Sequence, residues 1–236
     1  MSQRNRGKHP SDDKLFNDKW QQILKKAVID LSYLLTQGYS DKSSLQLVGN
    51  RYRLNSRQQK ALLRLSANRN KIAIRDKKVL LPTQLNGKKV AIDGFNLLIL
   101  LENALSGAYL FKCLDGTYRD ISSVHGSYKR VSKTEEAMIL VGNILQSLGV
   151  KEVLWLLDAP VSNSGRLKQM LLSLAQIHQF TWDVELVNNP DKELAKSENV
   201  VISSDAWILD RCVEWFNFGA YLIENQLEVK YIIYAE

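Results

Sequence analysis

Three aspartates close short apolar runs: Asp93 after Val90-Ala-Ile92, Asp158 after Val153-Leu-Trp-Leu-Leu157, and Asp205 two serines after Val200-Val-Ile202. Short apolar runs bounded by turn residues read as strands buried on both faces. If such strands lie parallel, their carboxyl ends share one edge of the sheet, and so do the three acids. Carboxylates gathered there repel one another strongly unless a cation neutralises them. Oxygen ligands of this kind suit Mg²⁺ or Mn²⁺, which keep waters and bind through a few carboxylates plus substrate phosphate. Two such ions can activate a water against a phosphodiester and stabilise the leaving oxygen. A strand-end Asp can also do no more than cap the following helix, and Asp205 before Ala206-Trp207 is placed for that.

Further candidates flank these acids. Asn96 stands where its amide could hold a ligating carboxylate or a phosphate, or serve only as a turn residue. Ser162-Asn-Ser-Gly-Arg166 opens a helix just past Asp158, so amides at Ser164 together with Arg166 would suit a phosphate. The segment from Leu105 to Val131 is a long, polar, turn-rich insert of the kind that carries function. In it Arg119, Lys129 and Arg130 are candidates to grip a strand, and His125 to orient a phosphate. Trp155, Trp182, Trp207 and Trp215 read as core or near-core aromatics rather than base-stacking platforms. No glycine-rich P-loop or GxGxxG is present, which argues against nucleotide hydrolysis and dinucleotide binding. Asp93 is followed by Gly-Phe-Asn, so a haloacid-dehalogenase-type phosphatase would lack its second Asp.

The elements that must position these groups fall into two parts. Residues 1–14 are polar, basic and contain a proline, and read as a disordered tail. From Leu15 to Gln37 apolar residues recur at helical spacing up to Gly38. Ser40 can cap a second helix with Leu45, Leu47 and Val48, and Ser56 a third with Ala61, Leu62 and Leu65. Lys71 to Pro82 reads as a short β-ribbon or linker. A small basic all-α domain over 15–84 is expected, then an α/β domain over 85–236 with a mostly parallel sheet flanked by helices. Its helices are expected at 133–148, at Ser164–His178 and from Asp205 through Trp215. Further strands are expected at Trp182–Val187 and, closing the chain, at Tyr231–Tyr234.

Charge divides the same way. Residues 1–89 hold 20 Lys/Arg against 6 Asp/Glu, and residues 90–236 hold 12 against 19, leaving the net +7. A basic front suits counter-ion release on a polyanion, and an acidic rear suits cation binding. The cationic candidates are Arg51, Arg53, Arg57, Lys60 and Arg64, with Arg57, Lys60 and Arg64 on one helical face. No apolar run spans a bilayer and no signal-type stretch opens the chain, so a cytoplasmic protein with no membrane partner is expected. Cys113 and Cys212 are far apart and form no CxxC pair, which predicts reduced thiols.

Asp93-Gly94-Phe95-Asn96 after an apolar strand resembles the opening strand of PIN-like nucleases, particularly their NYN branch. Leu156-Leu-Asp158-Ala-Pro160 and Ser203-Ser204-Asp205 resemble later strand ends of that superfamily, over about residues 88–236. The whole chain, including Gly49-Asn-Arg-Tyr-Arg-Leu54 and Val124-His-Gly-Ser-Tyr128, resembles a prokaryotic domain-of-unknown-function family in which a helical segment precedes a PIN-like domain. That resemblance implies metal-binding acids at Asp93, Asp158 and Asp205, and a further acid on the helix before the last site strand. Asp191 or Glu193 is the nearest match, with Glu135 or Glu136 and Asp210 as alternatives. It implies a metal-dependent nuclease acting on RNA rather than DNA. The alternative is a non-catalytic RNA- or DNA-binding protein with a degenerate PIN-like domain.

Overall fold

The computed structural model of the protein describes residues 6–122 and 128–236. Its front is helical: α1 (Asp12–Leu15), α2 (Asp18–Thr36), α3 (Asp41–Arg51), α4 (Ser56–Leu65) and α5 (Arg69–Asp76). Helix α2 buries Leu24, Ala27, Val28 and Leu31, the spacing of one helical face, as its sequence indicates. Ser40 caps α3 as expected. The cap of α4 is Asn55 rather than Ser56. Its Oδ1 accepts the Arg57 and Gln58 amides, and the Gln58 side chain answers the Asn55 amide, so three backbone donors are satisfied at once.

Two expectations for this part need correction. The described part of the tail packs against the fold: Asp12 is buried and takes Arg57 Nε at 2.6 Å and Nη2 at 2.9 Å. Of the stretch Lys71 to Pro82 read as ribbon or linker, Val79 forms a bridge to Trp215, while residues 71–76 belong to α5, capped by the Asn68 side chain. Its apolar face is too short to signal a helix, because the buried side chain there is Arg75.

Behind it run β1 (Lys89–Asp93), α6 (Gly94–Leu105), β2 (Leu110–Lys112), β3 (Tyr118–Arg119), α7 (Thr134–Ser147), β4 (Glu152–Asp158) and α8 (Ser164–His178). Then follow β5 (Trp182–Val187), α9 (Pro190–Ala195), β6 (Val200–Ile202), α10 (Ala206–Leu209), α11 (Phe218–Asn225) and β7 (Ile232–Tyr234). Four strands form a parallel sheet in the order β5-β4-β1-β6, with Ile92 opposite Trp155 on one side and Ile202 on the other. Strand alternation sorts its side chains to two faces. Ile92, Trp155, Leu157 and Ile202 pack with α6, α7 and α8. Ala91, Leu154, Leu156 and Val201 pack with α9 and α10. Helices therefore cover both faces, the architecture that parallel pairing demands.

Helix α6 was not legible, since ten of its twelve residues are buried and no polar face marks its period. The Leu105–Val131 insert is not a polar loop throughout. It contributes β2 and β3 to a second sheet, ordered β3-β2-β7, so the last strand closes this sheet rather than the main one. Phe111 and Ile233 of that sheet share a core with Leu24 and Leu62, which seats the helical part on it. After Asp205 the helix ends at Leu209, and Trp215 instead bridges Val79 and Val201. Among the described residues no helix is long and apolar enough to cross a membrane, and both cysteines are free and buried.

Candidate active site

The chain leaves β1 for β4 and β5 on one side, then returns to β6 on the other. The carboxyl ends of β1 and β6 thus mark the topological switch point, where such sheets open a crevice. A cleft of about 410 Å³ lies there, lined by Asp93, Asp120, Asp158, Asp191 and Asp205 among others. By strand alternation Asp93 shares a face with Ala91, and Asp158 with Leu154 and Leu156, so both turn toward the α9 and α10 side. Helix α9 brings Asp191 in its first turn, and Asp205 precedes α10.

Gly94 follows Asp93 for a steric reason. A Cβ there would stand 2.6 Å from Leu157 Cδ2 and 3.0 Å from the Leu156 carbonyl oxygen. Only glycine lets α6 start hard against β4 and leave the Asp93 side chain at the strand end.

Asp93 is only 5 % exposed, and its Oδ2 accepts the Asn96 amide at 2.6 Å and the Ser203 hydroxyl at 2.8 Å. Burial pushes its pKa up to about 6 against those two donors, and the charges of Asp191 and Asp205 push the same way. Asp191 is raised as well, by burial and then by Asp205 and Asp158. Asp205 Oδ1 caps α10 through the Trp207 and Ile208 amides, so the capping role read from sequence is real and leaves Oδ2 uncommitted by it. The side chains of Asp158 and Asp191 accept no hydrogen bond and form no ion pair among the described residues. The acids outnumber the two cations on the cleft wall, Arg64 and Arg119.

Other sequence candidates fall elsewhere. Arg119 is buried and committed: Nη2 meets Asp115 Oδ2 at 2.5 Å, while Nε and Nη1 donate to the carbonyls of Ser204 and Arg64. It braces the cleft and does not reach out to a strand. Asp210 lies outside the cleft, held by Arg75 at 2.6 Å and Lys71 at 2.7 Å. Glu136 is exposed on α7 beside Lys133, and Arg130 pairs with Glu135. Ser164 is buried and donates to the Ala159 carbonyl; Arg166 and Lys129 are exposed and do not line the cleft. His125 lies outside the described residues. Arg57 is consumed by Asp12, whereas Arg51, Arg53 and Lys60 are exposed and Arg64 reaches the cleft.

Sequence reasoning missed three contributors. Ser203 holds Asp93, and the repeated serine before Asp205 was its signal. Asn189 caps α9 through the Lys192 amide, a role that Asn-Pro-Asp announces. Asp120, raised by burial, lines the cleft because β3 delivers it there. Trp207, read as core, is 41 % exposed.

Among the described residues no group of three His, Cys, Asp or Glu side chains is placed to hold a metal ion directly. Mg²⁺ needs fewer, since it binds through one or two carboxylates and keeps its remaining waters. An all-carboxylate donor set with two acids held toward protonation by burial, and then by the charges of neighbouring acids, fits a hydrated divalent cation in chemistry.

Residues 82–221 match the family described as Domain of unknown function (DUF5616), and residues 23–78 match Protein of unknown function (DUF434). The chain is 33 % identical over 186 residues to "Uncharacterized protein MJ0935" of Methanocaldococcus jannaschii, covering 79 % of this chain and 88 % of that protein. No solved structure matches the chain.

Proposed function

The chain therefore belongs to the DUF5616 family of domains of unknown function, and we propose that it is a divalent-metal-dependent nuclease, an endoribonuclease with a PIN-like domain of the NYN type. The observation that carries this reading is the gathering of Asp93, Asp158, Asp191 and Asp205, from four different elements, around one cleft at the switch point of the sheet. Asp191 on the helix before β6 supplies the further acid that the resemblance to PIN-like nucleases implies. The residues fit Mg²⁺ or Mn²⁺, which when bound would neutralise the cluster and supply an activated water to a phosphodiester.

The chain's own groups have separable tasks in this reading. Asn96 and Ser203 fix the Asp93 carboxylate through two donors on one oxygen. The α10 cap orients Asp205. Arg64, exposed on the cleft wall, is free of ion pairs among the described residues and meets a substrate phosphate. Arg119 fixes the Ser204 carbonyl and so the backbone between Ser203 and Asp205.

One observation favours a second reading, a non-catalytic RNA- or DNA-binding protein: no three acids converge within direct ligating reach. Cleavage of labelled RNAs that requires Mn²⁺ or Mg²⁺ and disappears in Asp93→Asn and Asp205→Asn is the result expected of the nuclease. Salt-sensitive RNA binding without cleavage under any metal would assign the chain to the binding class.

A further inference from the structure

We propose that a groove beside the carboxylate cleft, between the helical part and α10, takes the unpaired bases of a single-stranded nucleic acid, with the Trp207 indole as its stacking platform. The proposal rests on the nuclease reading for the direction the strand takes, since the groove leads into the cleft.

The groove has a volume of about 520 Å³ and shares Arg64, Arg119 and Asp205 with the cleft, so a chain can pass from one to the other. Trp207 lines it, and its own amide donates to Asp205 Oδ1 at 2.7 Å, which ties the platform to a carboxylate two residues away. The indole remains 41 % exposed. The guanidinium of Arg211 lies 4.1 Å from the ring centroid and is held there by Nη1 donating to the Trp207 carbonyl at 3.0 Å. An arginine-backed indole left in water beside an acidic cleft is a stacking surface awaiting a flat partner. From the helical side Tyr39, 62 % exposed, lines the same groove.

Charge selects the partner. Arg64 and Arg211 line the groove and form no ion pair among the described residues, so a polyanion gains two uncommitted cations on entry. Bases in a duplex already stack on one another and present no face to an indole, whereas unpaired bases do. A single strand matches both features, the cations by its phosphates and the aromatics by its bases. A peptide rich in acidic residues would match only the first.

The experiment is fluorescence anisotropy with the full chain in EDTA, using a labelled oligouridylate of about 12 nucleotides, within the site sizes of such grooves, and a duplex of equal length. The wild type is expected to bind the single strand more tightly than the duplex. Trp207→Ala is expected to weaken single-strand binding about 5- to 100-fold, with duplex binding little changed. Trp207→Phe should restore most of the loss, and Arg211→Ala should weaken single-strand binding without altering the circular-dichroism melt. Single-strand affinity unchanged in both Trp207→Ala and Arg211→Ala overturns the proposal, as does an equal loss for single strand and duplex. Chelated metal keeps chemistry out of this readout. Failure of the nuclease reading would appear as normal binding with no metal-dependent cleavage, and failure of the groove as normal cleavage with binding indifferent to Trp207.

Discussion

Ser203 Oγ lies 2.8 Å from Asp93 Oδ2, a hydroxyl from the end of β6 held on the buried carboxylate at the end of β1. It spans the switch point of the sheet and lowers the pKa of the acid it touches against the stronger push of burial. Ser203→Ala removes that donor. The pH midpoint of any activity that needs ionised Asp93 should then move upward, and stability at neutral pH should fall by about 1.5–3 kcal/mol, as for a hydrogen bond to a charged group. Activity measured against pH, paired with urea unfolding at pH 7, checks both.

Asp93 itself makes the fold sensitive to pH. Its folded pKa of about 6 lies above the ordinary value of 3.8, so the folded chain holds the extra proton between those values. Stability therefore falls as pH rises through that window, and the loss is complete above it. Asp93→Asn removes the charge. Relative to its value at pH 4, the stability of this variant over wild type should grow by about 2–3 kcal/mol by pH 8, at 1.36 kcal/mol per unit. Thermal or urea unfolding of both chains across pH 4–8 measures it; parallel curves would show that Asp93 is not the group that titrates.

A divalent cation should relieve the same repulsion. Mn²⁺ at millimolar concentration is expected to raise the melting temperature at pH 8 and to lose most of that effect at pH 5, where Asp93 is protonated. Asp93→Asn and Asp205→Asn should blunt the shift, and EDTA should reverse it.

The positions of the cleft acids were legible because strands buried on both faces are short apolar runs with abrupt polar ends, and three of those ends are aspartates. Asp191 was legible only as one of several acids, since nothing in Pro190-Asp-Lys-Glu says which side chain faces β1. The fate of the cations was not legible at all. Arg57, Lys60 and Arg64 share a helical period, yet Asp12 from a segment 45 residues earlier takes the first and the cleft takes the last. Arg119 reads as a surface group in a polar insert until β3 buries it against Asp115. The 41 % exposure of Trp207 was not legible either, since an indole in a run with Ile208 and Leu209 reads as core.

Those differences separate two arginines of α4. Arg64→Ala should weaken RNA binding and reduce the slope of log affinity against log salt by about 0.7, one phosphate contact on a single strand. Arg57→Ala should leave that slope unchanged and lower stability instead, because it strands the buried Asp12 carboxylate. Salt titrations of binding, with a melt for each variant, distinguish the two.

Arg75 joins the helical part to the cleft-bearing domain, with Asp115 at 2.5 Å and Asp210 at 2.6 Å, and is 3 % exposed in its side chain. Arg75→Ala leaves Asp115 to Arg119 and Asp210 to Lys71, and should cost about 1.5–3 kcal/mol. A loss below about 1 kcal/mol in urea unfolding would mean that the pair is not held as described.

The most direct test of the nuclease reading is the single-turnover cleavage rate of a labelled single-stranded RNA in Mn²⁺. It compares wild type, Asp93→Asn, Asp205→Asn and, as control, Glu152→Gln, which lies at the opposite end of β4 from the cleft. The expected result is cleavage abolished by EDTA, slowed about 100-fold or more in both aspartate variants, and unchanged in the control. Equal rates in all four chains, or no cleavage by wild type under Mn²⁺ or Mg²⁺ while RNA is still bound, would contradict it.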